Sequence, residues 1–357
     1  MKICVYAICK NEEKFVKRWL DSMNEADYIC VLDTGSTDNT VELLKQNKKV
    51  ILGQQEIKPW RFDKARNESM KLIPNDTDMC VCTDLDEIFE KGWRKKLEKN
   101  VTTTTKNVQY RYTWNFNSDG SEGVVFYANK IHSYGDFYWK HPVHEVIVYK
   151  GKQPFESVLI KDLQLNHYAD NTKSRGQYLP LLELSVLEEP NDDRNVHYLG
   201  REYFFNGQYE KAIKTLKNHL QLKSATWKEE RSSSMRYIGD SYFALKDYEN
   251  AEYYYKLSVK ETPQVREPYF KLGKFYYETK RYLDAIIMLE SMQNIKEREL
   301  NYISNPQAWG YEVFDYLSLC YYELGDKKNA LINSVKAVNL KPQDKRLLDN
   351  LDYFKNM

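Results

Sequence analysis

The sequence predicts an α/β domain with a mostly parallel sheet, followed by an all-α domain of helical repeats. Three observations lead to this prediction. Short apolar runs alternate with amphipathic helical patterns in the first ninety residues, an aromatic run of two-residue period follows, and small residues recur periodically in the second half. At 357 residues the chain is long enough for two domains, which we expect at residues 1–170 and 171–357.

The composition narrows the class of protein. With 42% hydrophobic residues the chain can bury a core, and 53 Lys and Arg against 52 Asp and Glu leave no overall positive field to recruit nucleic acid. No apolar run of about 18 residues predicts a transmembrane segment. The six cysteines form no CxxC pair and lie in or beside apolar runs. Together with a start that lacks signal-peptide features, they indicate small buried side chains and a cytoplasmic location.

Four short apolar runs predict the strands of the sheet, at residues 3–8, 28–32, 50–52 and 79–82. Helical spacing of apolar residues between them predicts intervening helices, for example at 15–23 and 62–72. This alternation with short links is typical of a parallel sheet covered by helices on both faces. Ligands of such sheets bind at the carboxyl ends of the strands, where Asp33, Asp84 and Asp86 are expected.

A change of period follows the fourth strand. In residues 108–116, apolar or aromatic side chains alternate with polar side chains. Residues 117–120 have the composition of a turn, and residues 124–128 are mainly apolar again. This pattern predicts a β-hairpin. We expect its aromatic face to pack on the sheet, and lining an acceptor groove is the alternative.

The second half contains a repeat. Small residues are each followed twelve residues later by an alanine, at Gly200, Gly239, Gly273 and Ser318. The pattern resembles the tetratricopeptide repeat, in which small residues let two helices pack closely, and its uneven spacing predicts inserted loops. Many of the 29 tyrosines fall at repeat positions, so they are expected to be largely structural, and part of Tyr253-Tyr254-Tyr255 must be core. The concave face of such repeats could hold an acceptor or form a homodimer contact.

The segment Asp84-Leu85-Asp86 ends an apolar run with two closely spaced carboxylates. Such oxygens can hold Mg²⁺ or Mn²⁺, and the cation would neutralise a diphosphate leaving group. The alternative is structural, because Asp84 with Glu87 also fits the capping box of a helix.

The tetrapeptide at residues 33–36, Asp-Thr-Gly-Ser, matches the active site of aspartic proteases. Those enzymes need two aspartates that share a proton, and this chain has no second copy of the motif. The residues that follow have a helical pattern, whereas an all-β protease would continue as a strand. The protease interpretation is therefore excluded.

Four segments occur in a family-specific order, at residues 9–12 (CKNE), 31–40 (VLDTGSTDNT), 62–67 (FDKARN) and 84–87 (DLDE). In these segments the first half resembles a family-two glycosyltransferase of the GT-A fold. With the repeats, a Val-His-Glu at 143–145 and a Gly-Arg-Glu at 200–202, the chain is also similar to the sublancin-type peptide S-glycosyltransferases. Bacterial lipopolysaccharide and surface-glycan transferases share much of the same first half.

The resemblance implies roles for the residues at the strand ends. Glu12 and Asp33 would accept hydrogen bonds from the ribose and base of a nucleotide, and a uracil N3–H needs such an acceptor. Loop capping is the alternative for both. Asp86, with Asp84 behind it, would hold Mn²⁺ or Mg²⁺.

Arg66 has two possible roles. It could donate a bidentate pair of hydrogen bonds to the diphosphate. It could equally pair with Asp63 or with another carboxylate inside the fold.

Residues 138–145 hold the densest polar cluster outside the strand ends. If 143–149 is a strand, His144 and Glu145 point to opposite faces, so only one reaches the reaction centre. His144 would complete the metal shell or act as base, whereas Glu145 would be a general base. His141 and His167 are interpreted as structural.

Together these inferences predict a metal-dependent glycosyltransferase that moves a sugar from a UDP-sugar, such as UDP-glucose, to a peptide or protein acceptor. Inversion at the anomeric carbon is implied by the family resemblance alone. One alternative is transfer to a surface glycan or a lipopolysaccharide core. Another, of a different class, is a non-catalytic scaffold with a degenerate transferase domain.

Overall fold

A computed structural model describes residues 1–170 and 176–356. The chain forms two compact units. The first comprises residues 1–185 and 300–302, and the second comprises the rest of the described chain from Val186 onward. The expected domain boundary after residue 170 adjoins residues 171–175, which lie outside the described residues, so this boundary stays a prediction.

The first unit alternates strands and helices before it becomes mainly β-structure. Its elements are β1 (Ile3–Cys9), α1 (Glu13–Met23), β2 (Tyr28–Asp33), α2 (Thr40–Lys45), β3 (Val50–Gln54), α3 (Phe62–Met70), β4 (Met79–Cys82), β5 (Glu87–Phe89), α4 (Trp93–Asn100), β6 (Asn107–Thr113), β7 (Val125–Ser133), β8 (Phe137–Lys140), β9 (Val146–Tyr149) and β10 (Ser157–His167). The helix α5 (Tyr178–Glu188) begins in this unit.

Eight of these strands form one sheet in the order β3-β2-β1-β4-β7-β6-β10-β5. The first four are parallel, as are β6 and β10, whereas β7 and β5 run antiparallel to their neighbours. The prediction of a mostly parallel sheet is therefore confirmed. Strands β8 and β9 form a separate antiparallel pair.

The sheet is covered on both faces, because β1 is buried along its whole length. Ile3, Val5 and Ala7 pack in one apolar cluster with side chains of α1 and α4, whereas Cys4 and Tyr6 pack in another with Trp139 of β8. All six cysteines are free and buried, as expected.

The hairpin predicted from residues 108–128 is present as β6 and β7, which pair antiparallel. Val108, Tyr110 and Tyr112 are buried in the core, whereas Trp114 is 43% exposed. The expectation that the aromatic face packs on the sheet is wrong, because the hairpin is part of the sheet through the pairing of β7 with β4, and the buried face of β6 lies in the core beside α4. The strand ends at Thr113, earlier than the pattern indicated.

The second unit is helical throughout its regular structure. Its α-helices are α6 (Asp193–Phe205), α7 (Tyr209–Gln221), α8 (Lys228–Ala244), α9 (Tyr248–Glu261), α10 (Arg266–Glu278), α11 (Tyr282–Ser291), α12 (Glu312–Glu323), α13 (Lys327–Leu340) and α14 (Lys345–Lys355). They pack as successive pairs, and the predicted inserted loop lies between α11 and α12, where 3-10 turns span Met292–Asn294 and Pro306–Trp309. Across the described chain, every helix is too short or too polar to cross a membrane.

The small repeat residues hold the helix pairs together. A Cβ atom added to Gly239 would lie 2.5 Å from Cε1 of Tyr255 on the facing helix, and one added to Gly200 would lie 2.5 Å from Leu216. Ala212 and Ala251 are fully buried. The predicted repeat is confirmed, with the packing role that the pattern assigned to its small residues.

The tyrosines of the repeats divide between core and surface. Tyr255 is 2% exposed and Tyr276 is 4% exposed, whereas Tyr253 is 57% exposed. The expectation that part of the 253–255 run is core is therefore confirmed.

Candidate active site

The carboxyl ends of three parallel strands bring the acidic motifs to one edge of the sheet. β1 lies between β2 and β4, with Cys9 in register with Asp33 and Tyr6 in register with Cys82. The segment from Asp84 to Asp86 follows directly after β4. Since neighbouring strands lie about 4.8 Å apart, the axes of β2 and β4, on the two sides of β1, are about 10 Å apart.

Asp33 is 1% exposed and holds the loop that follows β2. Its carboxylate accepts hydrogen bonds from the backbone N–H groups of Gly35 (3.2 Å) and Ser36 (3.1 Å). The tight turn requires Gly35 to adopt a φ of 109°, a conformation that favours glycine. The loop-capping alternative is thus confirmed for Asp33, and its nucleotide contact stays a prediction.

The loops after β1 and β2 are tied to each other. The backbone N–H of Glu12 donates to Oγ1 of Thr40 (2.7 Å), and the backbone N–H of Glu13 donates to Asp38 (3.2 Å). Burial alone would raise the pKa of Asp38, but hydrogen bonds from Thr40 and Glu13 lower it below its usual range. Glu12 therefore lies on a braced loop beside Asp33.

Arg66 of α3 is 4% exposed and pairs with two carboxylates. Its Nη2 donates to Oδ1 of Asp84 (2.9 Å) and its Nε donates to Oε1 of Glu145 (2.5 Å). The guanidinium also lies 5.1 Å from the ring centre of Trp139. The internal-pair alternative for Arg66 is therefore confirmed. The specific pairing with Asp63 is wrong, because Asp63 pairs with Arg61 instead.

Lys130 of β7 completes this network. Its Nζ lies 3.0 Å from Glu87 and 3.4 Å from Asp84. Glu87 is 1% exposed and also accepts from the hydroxyl of Tyr112 (2.7 Å). We call Arg66, Asp84, Glu87, Lys130 and Glu145 the rim cluster.

The two cations set the charge state of the rim cluster. Burial opposes ionisation of Asp84, but the nearby charges of Arg66 and Lys130 hold the pKa of that carboxyl well below its usual range. Burial likewise opposes the charge of Lys130, but Glu87 and Asp84 raise the pKa of Lys130 well above its usual value.

The helix-capping alternative for Asp84 and Glu87 is wrong. The backbone N–H of Asp84 does donate to Glu87 (2.9 Å), which is the side-chain contact of a capping box. However, the chain continues as the strand β5 (Glu87–Phe89) rather than as a helix. Glu87 is held there by the antiparallel pairing of β5 with β10, a contact that local sequence does not encode.

Asp86 differs from Asp84 in its partners. Its Oδ2 lies 3.2 Å from Nε2 of His167 at the end of β10, and its side chain is 19% exposed. Nδ1 of His167 contacts the backbone oxygen of Trp114 (2.7 Å). Burial by itself would lower the pKa of His167, but the contact with Asp86 raises this pKa above its usual value. His167, interpreted from sequence as structural, therefore lies at the acidic edge. The sequence feature that could have identified His167 is its position at the end of a strand, directly before a loop.

The predicted strand at 143–149 is wrong at its start, because β9 begins at Val146. His144 has a φ of 51° and lies in a turn, so the argument that His144 and Glu145 point to opposite faces of a strand does not apply. The turn brings Glu145 onto Arg66, while the ring of His144 lies 5.8 Å from that of Tyr178. Their catalytic and metal-binding roles stay predictions.

The residues at this edge fit a hard divalent cation. Among the described residues, the carboxylates of Asp84, Asp86, Glu87 and Glu145 lie near two permanent cations, Arg66 and Lys130. Asp84 and Glu145 are occupied by Arg66, whereas Asp86 contacts a titratable imidazole. Oxygen ligands in a site with excess negative charge suit Mg²⁺ or Mn²⁺.

Comparison with known protein families agrees with this geometry. Residues 4–149 match the model for glycosyl transferase family 2, residues 238–265 match a tetratricopeptide repeat, and residues 266–357 match the prolyl 4-hydroxylase peptide-substrate-binding domain. The chain therefore carries a family-two glycosyltransferase domain of the GT-A fold, followed by tetratricopeptide-like repeats.

Individual relatives match the same two parts. The glycosyltransferase SunS of Bacillus subtilis (strain 168) is 24% identical over 233 residues, which cover 60% of this chain and 52% of that protein. This chain thus spans about half the length of that relative. Human prolyl 4-hydroxylase subunit alpha-1 is 34% identical over 89 residues, covering 25% of this chain and 16% of that protein. A thermophilic TPR protein from Thermus thermophilus matches at 19% identity with a TM-score of 0.37, covering 50% of this chain and 89% of that one.

Proposed function

We propose that this chain, with its family-two glycosyltransferase domain and its tetratricopeptide-like repeats, is a metal-dependent inverting transferase. It moves a sugar from a UDP-sugar, such as UDP-glucose, to a peptide or protein. The observation that carries the proposal is the acidic edge of the sheet, where Asp33 ends β2 and Asp84 and Asp86 follow β4, within the residues that match the family-two model.

The nucleotide binds across the ends of β1 and β2. Glu12 and Asp33 accept hydrogen bonds from its ribose and from the uracil N3–H. A carboxylate has about four acceptor positions, so Asp33 can hold the amides of Gly35 and Ser36 and still accept from a base. Because Asp33 is almost fully buried, contact with the base requires a movement of the loop at 34–36.

Asp86, with Asp84 behind it, holds the cation, which supplies neutralisation of the charge that develops on the departing diphosphate. His167 orients Asp86 through the 3.2 Å contact, and His144 is the predicted further ligand. Arg66 and Lys130 fix Asp84 and keep it ionised. Arg66 is thus a positioning residue rather than a direct ligand of the diphosphate.

Glu145 is the favoured general base, with His144 as the alternative. The 2.5 Å hydrogen bond from Arg66 orients the Glu145 carboxylate, which is 11% exposed. A cysteine thiol, with a solution pKa of about 8.5, requires less of a general base than a sugar hydroxyl does. The proton moves to the base as the acceptor attacks the face opposite the diphosphate.

A peptide or protein acceptor is supported by the second half of the chain. Residues 266–357 match a domain described as peptide-substrate-binding, and repeats of this type present extended surfaces. The same surfaces could join two copies of the chain. A cytoplasmic location is supported by six buried, free cysteines.

The test is release of UDP from a panel of nucleotide sugars with the full chain. We expect turnover of one UDP-sugar with Mn²⁺ or Mg²⁺, loss of turnover with a chelator, and recovery when the metal is restored. Absence of both turnover and nucleotide binding in every condition would favour the scaffold alternative. Faster release with a polysaccharide than with cysteine-containing peptides would favour a glycan acceptor.

A further inference from the structure

The first repeat helices bury a polar cluster that the proposed transfer reaction does not use. His219, near the end of α7, is 0% exposed, and Glu230, in the first turn of α8, is 3% exposed. Asp193, the first residue of α6, is partly exposed. One ligand atom of each side chain lies within 4.8 Å of the other two. Three helices thus bring one imidazole and two carboxylates to a single point.

The contact between His219 and Glu230 is not a hydrogen bond. Nε2 of His219 lies 3.3 Å from Oε1 of Glu230, yet this buried nitrogen has no hydrogen-bond partner among the described residues. Leaving a buried polar atom unsatisfied beside a carboxylate is costly. Two ligand atoms of a tetrahedral zinc ion, each about 2.0–2.1 Å from the metal, are about 3.3 Å apart. The observed separation matches two ligands of one ion.

The other nitrogen of His219 has the partner that a metal-binding histidine needs. Nδ1 lies 2.9 Å from Oγ of Ser234, and the same oxygen lies 2.7 Å from Nδ1 of His197. If Nδ1 of His219 donates to Ser234, the Ser234 hydroxyl donates in turn to His197. His219 then presents a lone pair at Nε2, toward Glu230. Metal-ligating histidines usually have such an outer partner that fixes the tautomer.

We propose that Asp193, His219 and Glu230 bind a zinc ion that joins α6, α7 and α8 at the start of the repeats. One imidazole and two carboxylates favour zinc over calcium or magnesium, which prefer oxygen ligands alone. Water completes the fourth position. The partial exposure of Asp193 gives the ion a path from solvent. This site is distinct from the acidic edge of the sheet in its residues and in its ligand chemistry.

The experiment uses Co²⁺ as a spectroscopic probe on the metal-free full chain. A nitrogen-containing site of low coordination number gives visible absorption that an octahedral oxygen site gives only weakly. We expect one equivalent of Co²⁺ to produce this absorption and Zn²⁺ to remove it. D193N and E230Q should bind at least about tenfold more weakly, because loss of a direct ligand exceeds the loss of an outer partner.

Two control variants test whether the Co²⁺ absorption comes from the proposed site. E229Q removes a neighbouring carboxylate from the same turn of α8 and should leave the Co²⁺ signal unchanged. D86A, at the edge of the sheet, should also leave it unchanged. H219Q removes a buried contact to Ser234 and can fail to fold. D193N is therefore the main test of metal binding at this cluster, because Asp193 is partly exposed and its replacement should leave the fold intact.

Thermal unfolding gives an independent measurement. Saturating Zn²⁺ should raise the melting temperature of the wild type and of E229Q, but not that of D193N, because an ion bound only to the folded state stabilises it. The proposal is overturned if the wild type gives no Co²⁺ absorption, or if D193N and E230Q retain the wild-type signal and the wild-type shift in melting temperature.

Discussion

The rim cluster and the group of Asp193, His219 and Glu230 in the repeats, which we call the histidine cluster, both contain buried carboxylates, but different groups lie beside these carboxylates. In the rim cluster, the buried Glu87 pairs with the permanent cation Lys130, and the partly exposed Asp84 pairs with Arg66 and Lys130. In the repeats, Glu230 faces His219, whose Nε2 has no hydrogen-bond partner among the described residues. A buried polar atom is costly unless it is paired. The first cluster therefore satisfies its carboxylates with its own cations, whereas the second leaves an imidazole nitrogen unsatisfied.

If the two proposed ions bind, this difference gives them different roles. An edge whose structural carboxylates are already paired can remain folded without an ion, which the proposed entry of a cation with the nucleotide at Asp86 requires. A cluster with an unsatisfied buried nitrogen gains stability from an ion that stays. Changes at the acidic edge should therefore act mainly on activity, and changes at the histidine cluster mainly on stability.

The largest effect is expected from Asp86→Ala, which should lower metal-dependent UDP release by about 10²–10³-fold, the loss typical of one group that stabilises transition-state charge. UDP release and circular dichroism are the measurements. Asp162→Asn, an exposed carboxylate change on β10, is the matched control and should keep full turnover. A folded Asp86→Ala protein with wild-type turnover would contradict the metal assignment. It would also remove the expected difference between the two clusters, because neither would then control activity.

Lys130→Met tests whether the rim cluster depends on its permanent cations. The change keeps the apolar stem but leaves Asp84 and Glu87 with one cation fewer, so the free energy of unfolding should fall by about 3 kcal/mol, the lower end for breaking a buried pair. Urea unfolding is the measurement, and Lys152→Met at an exposed position is the control. Equal stability of the two variants would mean that Arg66 alone satisfies the cluster.

Gly239→Ala tests the close packing of the repeats. The new Cβ would lie 2.5 Å from the buried ring of Tyr255, so we expect a loss of about 2 kcal/mol from overpacking. UDP release without an acceptor should be unchanged at low temperature. Ser318→Ala is the matched control, because that repeat already accommodates a Cβ and loses only a hydrogen bond to the backbone of Asp315. A stable Gly239→Ala protein would refute the packing role.

A smaller effect is expected from the buried His132 of β7. Burial lowers the pKa of His132 to about 4, and its Nε2 accepts from the hydroxyl of Tyr6, which itself accepts from Trp139. A histidine with a lowered folded pKa contributes stability that is present above its unfolded pKa of about 6.5 and is lost as pH falls toward 4.

Between pH 7.5 and 5.5 this group should remove about 1.4 kcal/mol from the wild type. In His132→Gln that part of the pH dependence should be absent, because glutamine does not titrate. Urea unfolding of both proteins at the two pH values gives the difference directly. An identical pH dependence in the two proteins would show that other groups control acid stability.

The motifs at the strand ends could be located from sequence because each follows a buried run directly. The positions of Asp33, Asp84 and Asp86 depend only on where β2 and β4 end. The repeats could be located for a similar reason, since the small residue and the alanine of each repeat lie at the contact between its two helices and are only twelve residues apart.

The partners of these residues could not be predicted, because they come from distant segments. His167 reaches Asp86 only because β10 pairs with both β6 and β5 in the sheet. Glu145 reaches Arg66 through the turn at His144, whose positive φ the strand-like sequence pattern does not reveal.

The amino-acid sequence by itself determined the two-part architecture, the acidic strand ends and the small residues of the helix pairs. These features follow from periodicity and local composition, which act over a few residues. Only the tertiary structure decided that Arg66 serves two carboxylates, that Asp86 faces His167 and that Asp193, His219 and Glu230 meet. Such contacts depend on how strands and helices pack, because burial makes distant charges share one low-dielectric environment.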